Sequence, residues 1–91
     1  MGSCFVLVLN MYMVYILQSE ADGRYYYGFT EKAVTTRLEE HNQGKSLHTH
    51  KYRPWKLVWF AGFLSKERAR NFERYLKSGS GHAFSRKRLI G

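Results

Sequence analysis

Hydrophobic residues occupy every position between residues 12 and 17. Successive side chains of a strand point to opposite faces of its sheet. A segment whose odd- and even-numbered residues are all apolar is therefore typical of a strand covered on both sides. Asp22 and Gly23 then provide a turn signal, and a second strand is predicted over residues 25–29. The pattern therefore predicts a hairpin whose first strand is central in a sheet.

The hairpin also predicts a register. If it closes around Ala21 and Asp22, Tyr15 lies opposite Gly28 and diagonal to Tyr26, on one face of the sheet. Gly28 has no side chain, so we expect it to leave room for whatever group the two tyrosine rings hold.

Helical spacing replaces the strand pattern twice. Residues 31–41 form the first predicted helix, with Thr30 as its N-cap and with Val34 and Leu38 setting its apolar direction. A loop is predicted over residues 42–54, where glycine, asparagine and proline interrupt the pattern, and a third strand over residues 55–64.

The second helix is predicted to begin after Ser65, its N-cap, and to end near Ser78, with Gly79 as the terminating residue. Its buried stripe consists of Ala69, Phe72 and Leu76. On the helical wheel Glu73 lies beside that stripe, whereas Glu67 points almost the opposite way. Glu73 is therefore the carboxylate of this helix that can face the sheet. A short basic helix over residues 84–89 completes the chain.

Length and composition limit the class of protein. With 91 residues, of which 44% are hydrophobic and 16% aromatic, the chain can form one domain with a small aromatic core and is not a disordered tail. The lone cysteine, Cys4, excludes an internal disulfide framework. We therefore expect a single domain over residues 11–91, in a reducing compartment such as the cytoplasm.

The first ten residues are a separate question. Residues 5–9 are apolar, but they are far fewer than the ~20 residues of a membrane span and have no basic flank, so neither a membrane partner nor a signal peptide is predicted. Residues 1–10 are either an additional edge strand or sequence upstream of the functional start, and the sequence leaves both possibilities open.

Basic residues outnumber acidic ones by 15 to 7, which gives a formal net charge of +8. Such a molecule attracts polyanions, of which nucleic acid is the commonest. No acidic residue lies between Glu40 and Glu67, and the C-terminal region is strongly basic. A surface whose charge only keeps the protein in solution is the open alternative. The residues predicted to bind phosphates are Lys45, Lys51, Arg53, Arg86, Lys87 and Arg88.

Five side chains suited to phosphate chemistry occur in a recognisable order along the chain. They are two strand tyrosines, an arginine, a histidine and a helical carboxylate: Tyr15, Tyr26, Arg37, His41 and Glu73. This order resembles that of the GIY-YIG nuclease superfamily, in particular its small, single-domain bacterial members. The segments that carry the resemblance are Val14-Tyr15-Ile16-Leu17, Tyr27-Gly28-Phe29-Thr30, Arg37-Leu38 with Glu40-His41-Asn42, Arg53-Pro54-Trp55-Lys56-Leu57-Val58, and Tyr75-Leu76-Lys77-Ser78-Gly79-Ser80-Gly81.

The resemblance implies an α/β fold of the α+β type, with a small, mainly antiparallel three-stranded sheet flanked by helices. It also implies a metal-dependent endonuclease, with DNA favoured over RNA as its substrate. In that interpretation Glu73 binds one Mg²⁺ or Mn²⁺ ion and Arg37 holds the scissile phosphate. Tyr15 is then the general base, Tyr26 a second phosphate or water contact, and His41 a proton relay.

Each of these residues also has an ordinary structural interpretation. Strand tyrosines usually pack in the core, and Glu73 could simply pair with Lys77 at the i,i+4 spacing. His48 and His50 are interpreted as loop polarity and not as a metal site. The competing functional hypothesis is a non-catalytic DNA- or RNA-binding module on the same scaffold. The sequence does not predict an oligomeric state.

Overall fold

The computed structural model describes residues 11–90. It confirms the predicted fold class, since one antiparallel three-stranded sheet in the order β2-β1-β3 is flanked by helices. The segment 1–10, with its two open interpretations, lies outside the described residues. The elements are β1 (Tyr12–Ser19), β2 (Tyr25–Thr30), α1 (Val34–Asn42), a 3₁₀ turn (His50–Tyr52), β3 (Trp55–Phe63), α2 (Lys66–Leu76), α3 (Gly79–Ser85) and a π turn (Arg86–Ile90).

The first strand is central, as its apolar pattern predicts, and its two faces belong to different cores. Val14 and Ile16 face a core that α2 completes with Ala69 and Leu76. Tyr15, on the opposite face, belongs to a second core together with Leu17, Val34 and Trp55. The helices therefore form two layers, with α1 on one face of the sheet and α2 with α3 on the other.

The hairpin register is also confirmed. Tyr15 pairs with Gly28 on β2 and Leu17 pairs with Tyr26, so the two tyrosines are diagonal neighbours. On its other side Tyr15 pairs with Phe60 of β3. Tyr15 is thus fixed by strands on both sides.

The predicted start of the first helix is wrong by three residues. Thr30 is the last residue of β2, where it pairs with Met13, and it does not cap α1. Its hydroxyl instead accepts a hydrogen bond from the Lys32 amide at 3.0 Å. The helix begins at Val34, preceded by Ala33, which makes no side-chain cap. Pairing with Met13 keeps Thr30 in β2. The chain must then leave the sheet over residues 31–33 before the helix can begin at Val34.

Gly79 begins a helix and does not terminate one. The Ser65 hydroxyl caps α2 as predicted, accepting from the Arg68 amide at 3.2 Å, but α2 ends at Leu76. Ser78 then caps α3, accepting from the Gly81 amide at 3.1 Å. The predicted terminal helix over residues 84–89 is the second half of this longer helical region.

Gly81 explains why the two helices follow one another so closely. A Cβ at Gly81 would overlap the carbonyl of Tyr75 at the end of α2. Only glycine permits this approach of one backbone to another. Across residues 11–90, no helix is both long and apolar enough to cross a bilayer.

Candidate active site

Tyr15 is the centre of the candidate site. Its side chain is 1% exposed, and its hydroxyl lies 2.9 Å from Nε2 of His41. A Cβ on Gly28 would lie closer than 3.0 Å to three atoms of the Tyr15 side chain. The prediction that Gly28 provides space is therefore right in kind, but the space is taken by the Tyr15 ring and not by a group held between two rings.

His41 links Tyr15 to a residue that sequence reasoning missed. The ring of His41 is fully buried in the last turn of α1, and its Nδ1 lies 2.7 Å from Oγ1 of Thr49. Thr49 is fully buried as well. The three side chains form a continuous hydrogen-bonded chain from β1 through α1 to the loop. No periodicity marks a buried threonine between two exposed or half-exposed loop histidines.

Tyr26 joins the group through its ring. Its centroid lies 5.1 Å from that of His41, edge to face at 60°, and 6.4 Å from that of Tyr15. The structure therefore brings Tyr15, Tyr26 and His41 together in one aromatic cluster. The hairpin register predicts the proximity of the two tyrosines but not that of His41.

Hydrogen bonds of Trp55 hold the loop between α1 and β3 at its ends and near its middle. The Asn42 amide donates to the Trp55 carbonyl at 3.0 Å and accepts from the Trp55 amide at 2.6 Å. The Trp55 indole then donates to the carbonyl of Thr49 at 2.9 Å. These bonds fix the position of Thr49 beneath His41.

Burial controls the protonation of the two central groups. It raises the pKa of the Tyr15 hydroxyl well above its ordinary value of 10.0, and Tyr26 adds to this shift, while the positive charge of Arg37 opposes it. Burial, and then the charge of Arg37, lower the pKa of His41 to about 4. At neutral pH both Tyr15 and His41 are therefore uncharged.

Arg37 is oriented by a carboxylate on its own helix. Its Nη1 donates to Glu40 at 2.8 Å, and Lys32 approaches the other oxygen of Glu40 at 2.5 Å. Hydrogen bonds from Lys32 and Arg37 lower the pKa of Glu40 to about 2. Glu40 thus remains an anion that holds the Arg37 guanidinium in electrostatic reach of Tyr15.

Glu73 reaches the site from the opposite layer. It projects from α2, is only 13% exposed, and contacts Arg70 at 3.4 Å and Lys77 at 3.1 Å. Its negative charge contributes to the raised pKa of Tyr15. The Tyr15 hydroxyl lies over Gly28 on the edge strand β2, which α2 also contacts. Charged residues from both helical layers, Arg37 of α1 and Glu73 of α2, therefore act on the Tyr15 hydroxyl at the β2 edge of the sheet.

The residues predicted to bind phosphate are all exposed, but they divide between the two layers. Lys45, Lys51 and Arg53 lie in the loop beside His41, and residues 86–88 form the π turn after α3. Arg53 is the most constrained, since its Nε donates to the His50 carbonyl at 2.7 Å. Its guanidinium lies against Gly44, where a Cβ would be 2.6 Å from Nη1. None of these residues is in an ion pair within the part of the chain described.

Comparison with known proteins agrees with this geometry. Residues 11–87 match the family model described as the GIY-YIG catalytic domain. The chain belongs to the GIY-YIG family. The resemblance noted from the sequence is therefore confirmed, and this GIY-YIG domain belongs to a family of the nuclease type.

Two curated relatives come from Streptococcus pneumoniae. The chain is 42% identical over 65 residues to a "UPF0213 protein" of serotype 4, strain TIGR4, an alignment that covers 70% of this chain and 64% of that protein. It is 40% identical over 65 residues to a UPF0213 protein of strain R6, with the same coverage of 70% and 64%. The chain thus spans 64% of the length of the relatives it matches.

Proposed function

We propose that this GIY-YIG domain is a divalent-metal-dependent endonuclease that hydrolyses phosphodiester bonds in DNA, acting in the cytoplasm. The observation that carries the proposal is the contact of the Tyr15 hydroxyl with His41 at 2.9 Å. The same hydroxyl lies in the electrostatic fields of Arg37 and Glu73. A tyrosine packed only for stability needs neither an arginine nor a carboxylate close enough to affect its pKa.

In this proposal Tyr15 acts as the general base that takes a proton from the attacking water. Because burial keeps Tyr15 protonated at neutral pH, it can take that proton only after it has released its own to solvent. Positive charge close to the hydroxyl oxygen favours this release by lowering the pKa. Arg37 supplies one such charge. It pairs with Glu40 through a single nitrogen, and a guanidinium has further donors with which to hold the scissile phosphate. Tyr26, beside Tyr15, is then placed to contact the phosphate or the water.

Glu73 is the residue that would hold the metal ion. Mg²⁺ and Mn²⁺ accept a single carboxylate when substrate phosphate and water complete their coordination, and Glu73 is a partly buried carboxylate on α2. Among residues 11–90, no three histidine, cysteine, aspartate or glutamate side chains form a metal cage. Arg70 and Lys77, which now pair with Glu73, are each 51% exposed and can swing into solvent. When bound, the ion would neutralise charge that develops on the phosphate.

Cleavage assays with matched variants test the proposal. Wild type, Glu73→Gln and Glu67→Gln are incubated with branched, single-stranded and duplex DNA, and with RNA of equal length, in Mg²⁺, Mn²⁺ or EDTA. We expect wild type and Glu67→Gln to cut DNA only with metal. Glu73→Gln should bind DNA but not cut it, because it loses only the metal-binding charge. Undiminished cutting by Glu73→Gln would remove Glu73 from the metal site.

A second function, a non-catalytic DNA- or RNA-binding module, is favoured by one observation. Both oxygens of Glu73 already contact cations of their own helix, Arg70 and Lys77. If those pairs are permanent, Glu73 is unavailable to a metal ion. A wild type that binds nucleic acid but cuts no substrate with either metal would establish this alternative.

A further inference from the structure

A row of aromatic side chains lies on the side of α2 that faces β3. Phe72 packs against Trp59 and Phe63 of β3, at ring-centroid distances of 5.9 and 5.7 Å. The Tyr75 ring follows at 6.2 Å from Phe72, and the Phe84 ring of α3 follows at 5.9 Å from Tyr75. We call Phe72, Tyr75 and Phe84 the aromatic stripe.

The other side of α2 carries the charged residues of the candidate site. The Arg70 guanidinium lies 4.1 Å from the centroid of the Phe29 ring on β2, and Arg70 contacts Glu73 at 3.4 Å. In the described sheet β2 and β3 are the two outer strands. Glu73 and the aromatic stripe therefore lie on opposite sides of one helix, and the proposed cleavage site leaves the stripe without a role.

Two rings of the stripe combine mutual contact with exposure to solvent. Tyr75 is 40% exposed and Phe84 is 37% exposed. Gly81 allows α3 to approach α2 closely enough for this contact, because a Cβ there would overlap the Tyr75 carbonyl. Isolated exposed rings are ordinary on a protein surface, but adjacent exposed rings form a candidate binding surface.

Basic residues lie at both ends of the stripe. Arg68 precedes Phe72 by one helical turn on the same side of α2, and it lines a cleft of about 520 Å³ beside the end of β3. After Phe84 the chain continues into the π turn with its basic residues 86–88, and this turn also contacts β3. All four cations are exposed. Aromatic faces between exposed cations suit unpaired bases joined by phosphates.

We infer that the aromatic stripe binds a single-stranded segment of DNA, with bases stacked on Tyr75 and Phe84 and phosphates paired with Arg68 and the π turn. The inference rests on the proposed function for its choice of DNA, but it does not depend on cleavage. A second copy of this chain suits the stripe less well, because each copy has a net charge of +8 and would bring its own arginines to the contact.

Fluorescence anisotropy with labelled oligonucleotides tests the stripe. Tyr75→Leu and Phe84→Leu keep an apolar side chain and remove the aromatic face. Phe60→Leu is the matched control, since Phe60 is 55% exposed but pairs with Tyr15 on the opposite face of the sheet. Each stripe variant should bind single-stranded DNA at least about 5-fold more weakly, the lower end of the loss when one stacking ring is removed. Wild-type affinity in both stripe variants, or an equal loss in the control, would overturn the inference.

Salt and base content separate stacking from charge. The stripe variants should keep the wild-type slope of log K against log[salt], whereas Arg68→Gln should flatten it by about 0.7 on single strands. On blunt duplex DNA and on an abasic strand, the stripe variants should bind like wild type. An equal loss on either substrate would overturn the inference. Wild type should bind the abasic strand more weakly than the normal strand, and equal affinity would overturn the inference even if a variant does not fold.

Other occupants of the stripe give different results. Sedimentation velocity that shows a dimer, dispersed by Phe84→Leu while DNA binding persists, would assign the stripe to a second copy. Weaker binding of the stripe variants to phosphatidylserine vesicles, with DNA binding intact, would assign it to a membrane surface. Either result would overturn the inference. If the stripe variants lose single-stranded DNA while wild type cuts no DNA, the inference stands and the proposed nuclease function fails.

Discussion

Gly28→Ala is the smallest change that should disrupt the site. The added methyl would lie closer than 3.0 Å to three atoms of the Tyr15 side chain. That ring cannot move aside easily, because Tyr15 is 1% exposed and its hydroxyl is bonded to His41. The variant must therefore displace either Tyr15 or the β2 backbone.

The size of the effect follows from two contributions. Overpacking of a close-packed core costs roughly 1–3 kcal/mol, and loss of a buried hydrogen bond adds about 0.5–1.5 kcal/mol. For a domain of this size each kcal/mol lowers Tm by roughly 4–8 °C. The two contributions together are about 1.5–4.5 kcal/mol, so we expect Gly28→Ala to lower Tm by roughly 6–36 °C. Any nuclease activity should fall further than the loss of folded protein explains.

Calorimetry with Gly79→Ala as the control tests this expectation. Nothing lies within 4 Å of a Cβ built at Gly79, the first residue of α3. The control should therefore change stability by less than about 1 kcal/mol and tend to stabilise the protein, since it removes freedom from the unfolded chain. A Gly28→Ala variant as stable as Gly79→Ala would refute the close contact between Gly28 and Tyr15.

Three further predictions concern the base, the basic turn and pH. Tyr15→Phe removes only a hydroxyl, so the cleavage rate should fall roughly 10²–10⁴-fold; a loss of only a few-fold would transfer the base role to Tyr26 or His41. Neutralising residues 86–88 together should flatten the plot of log K against log[salt], by about 0.9 per phosphate contact on duplex DNA; an unchanged slope would confine binding to the loop. His41 has a pKa of about 4 instead of 6.5, so protons favour the unfolded chain. Denaturation should show stability falling from pH 6.5 to about 4, less steeply in His41→Gln.

The sequence is most informative where a pattern depends on local geometry. Strand alternation and a short turn determine which residues of a hairpin are opposite each other, so the pairing of Tyr15 with Gly28 could be predicted. The helical period likewise places Glu73 beside the buried stripe of α2, and the structure finds it 13% exposed. Both conclusions need only the spacing of residues along one element.

The errors occur where a local signal competes with a tertiary contact. Thr30 has the chemistry of an N-cap, but pairing with Met13 keeps it in β2. Gly79 has the chemistry of a helix terminus, but the close approach at Gly81 lets a new helix begin there. Thr49 has no local signal at all, because its role depends on a histidine eight residues away and on a tyrosine on another element. Such contacts exist only once the chain has folded.

Contacts between distant elements also explain how so small a domain can keep the hydrogen-bonded side chains of Tyr15, His41 and Thr49 buried. Within residues 11–90, every buried side-chain nitrogen or oxygen has a hydrogen-bond partner. Removing one member of the Tyr15–His41–Thr49 chain would leave a neighbour unpaired in a core that has little else to stabilise it. A side chain at Gly28 would displace Tyr15 and have the same consequence. The hydroxyl that we propose as the base is therefore positioned by residues that never approach a substrate: a threonine in the loop and a glycine at the edge of the sheet.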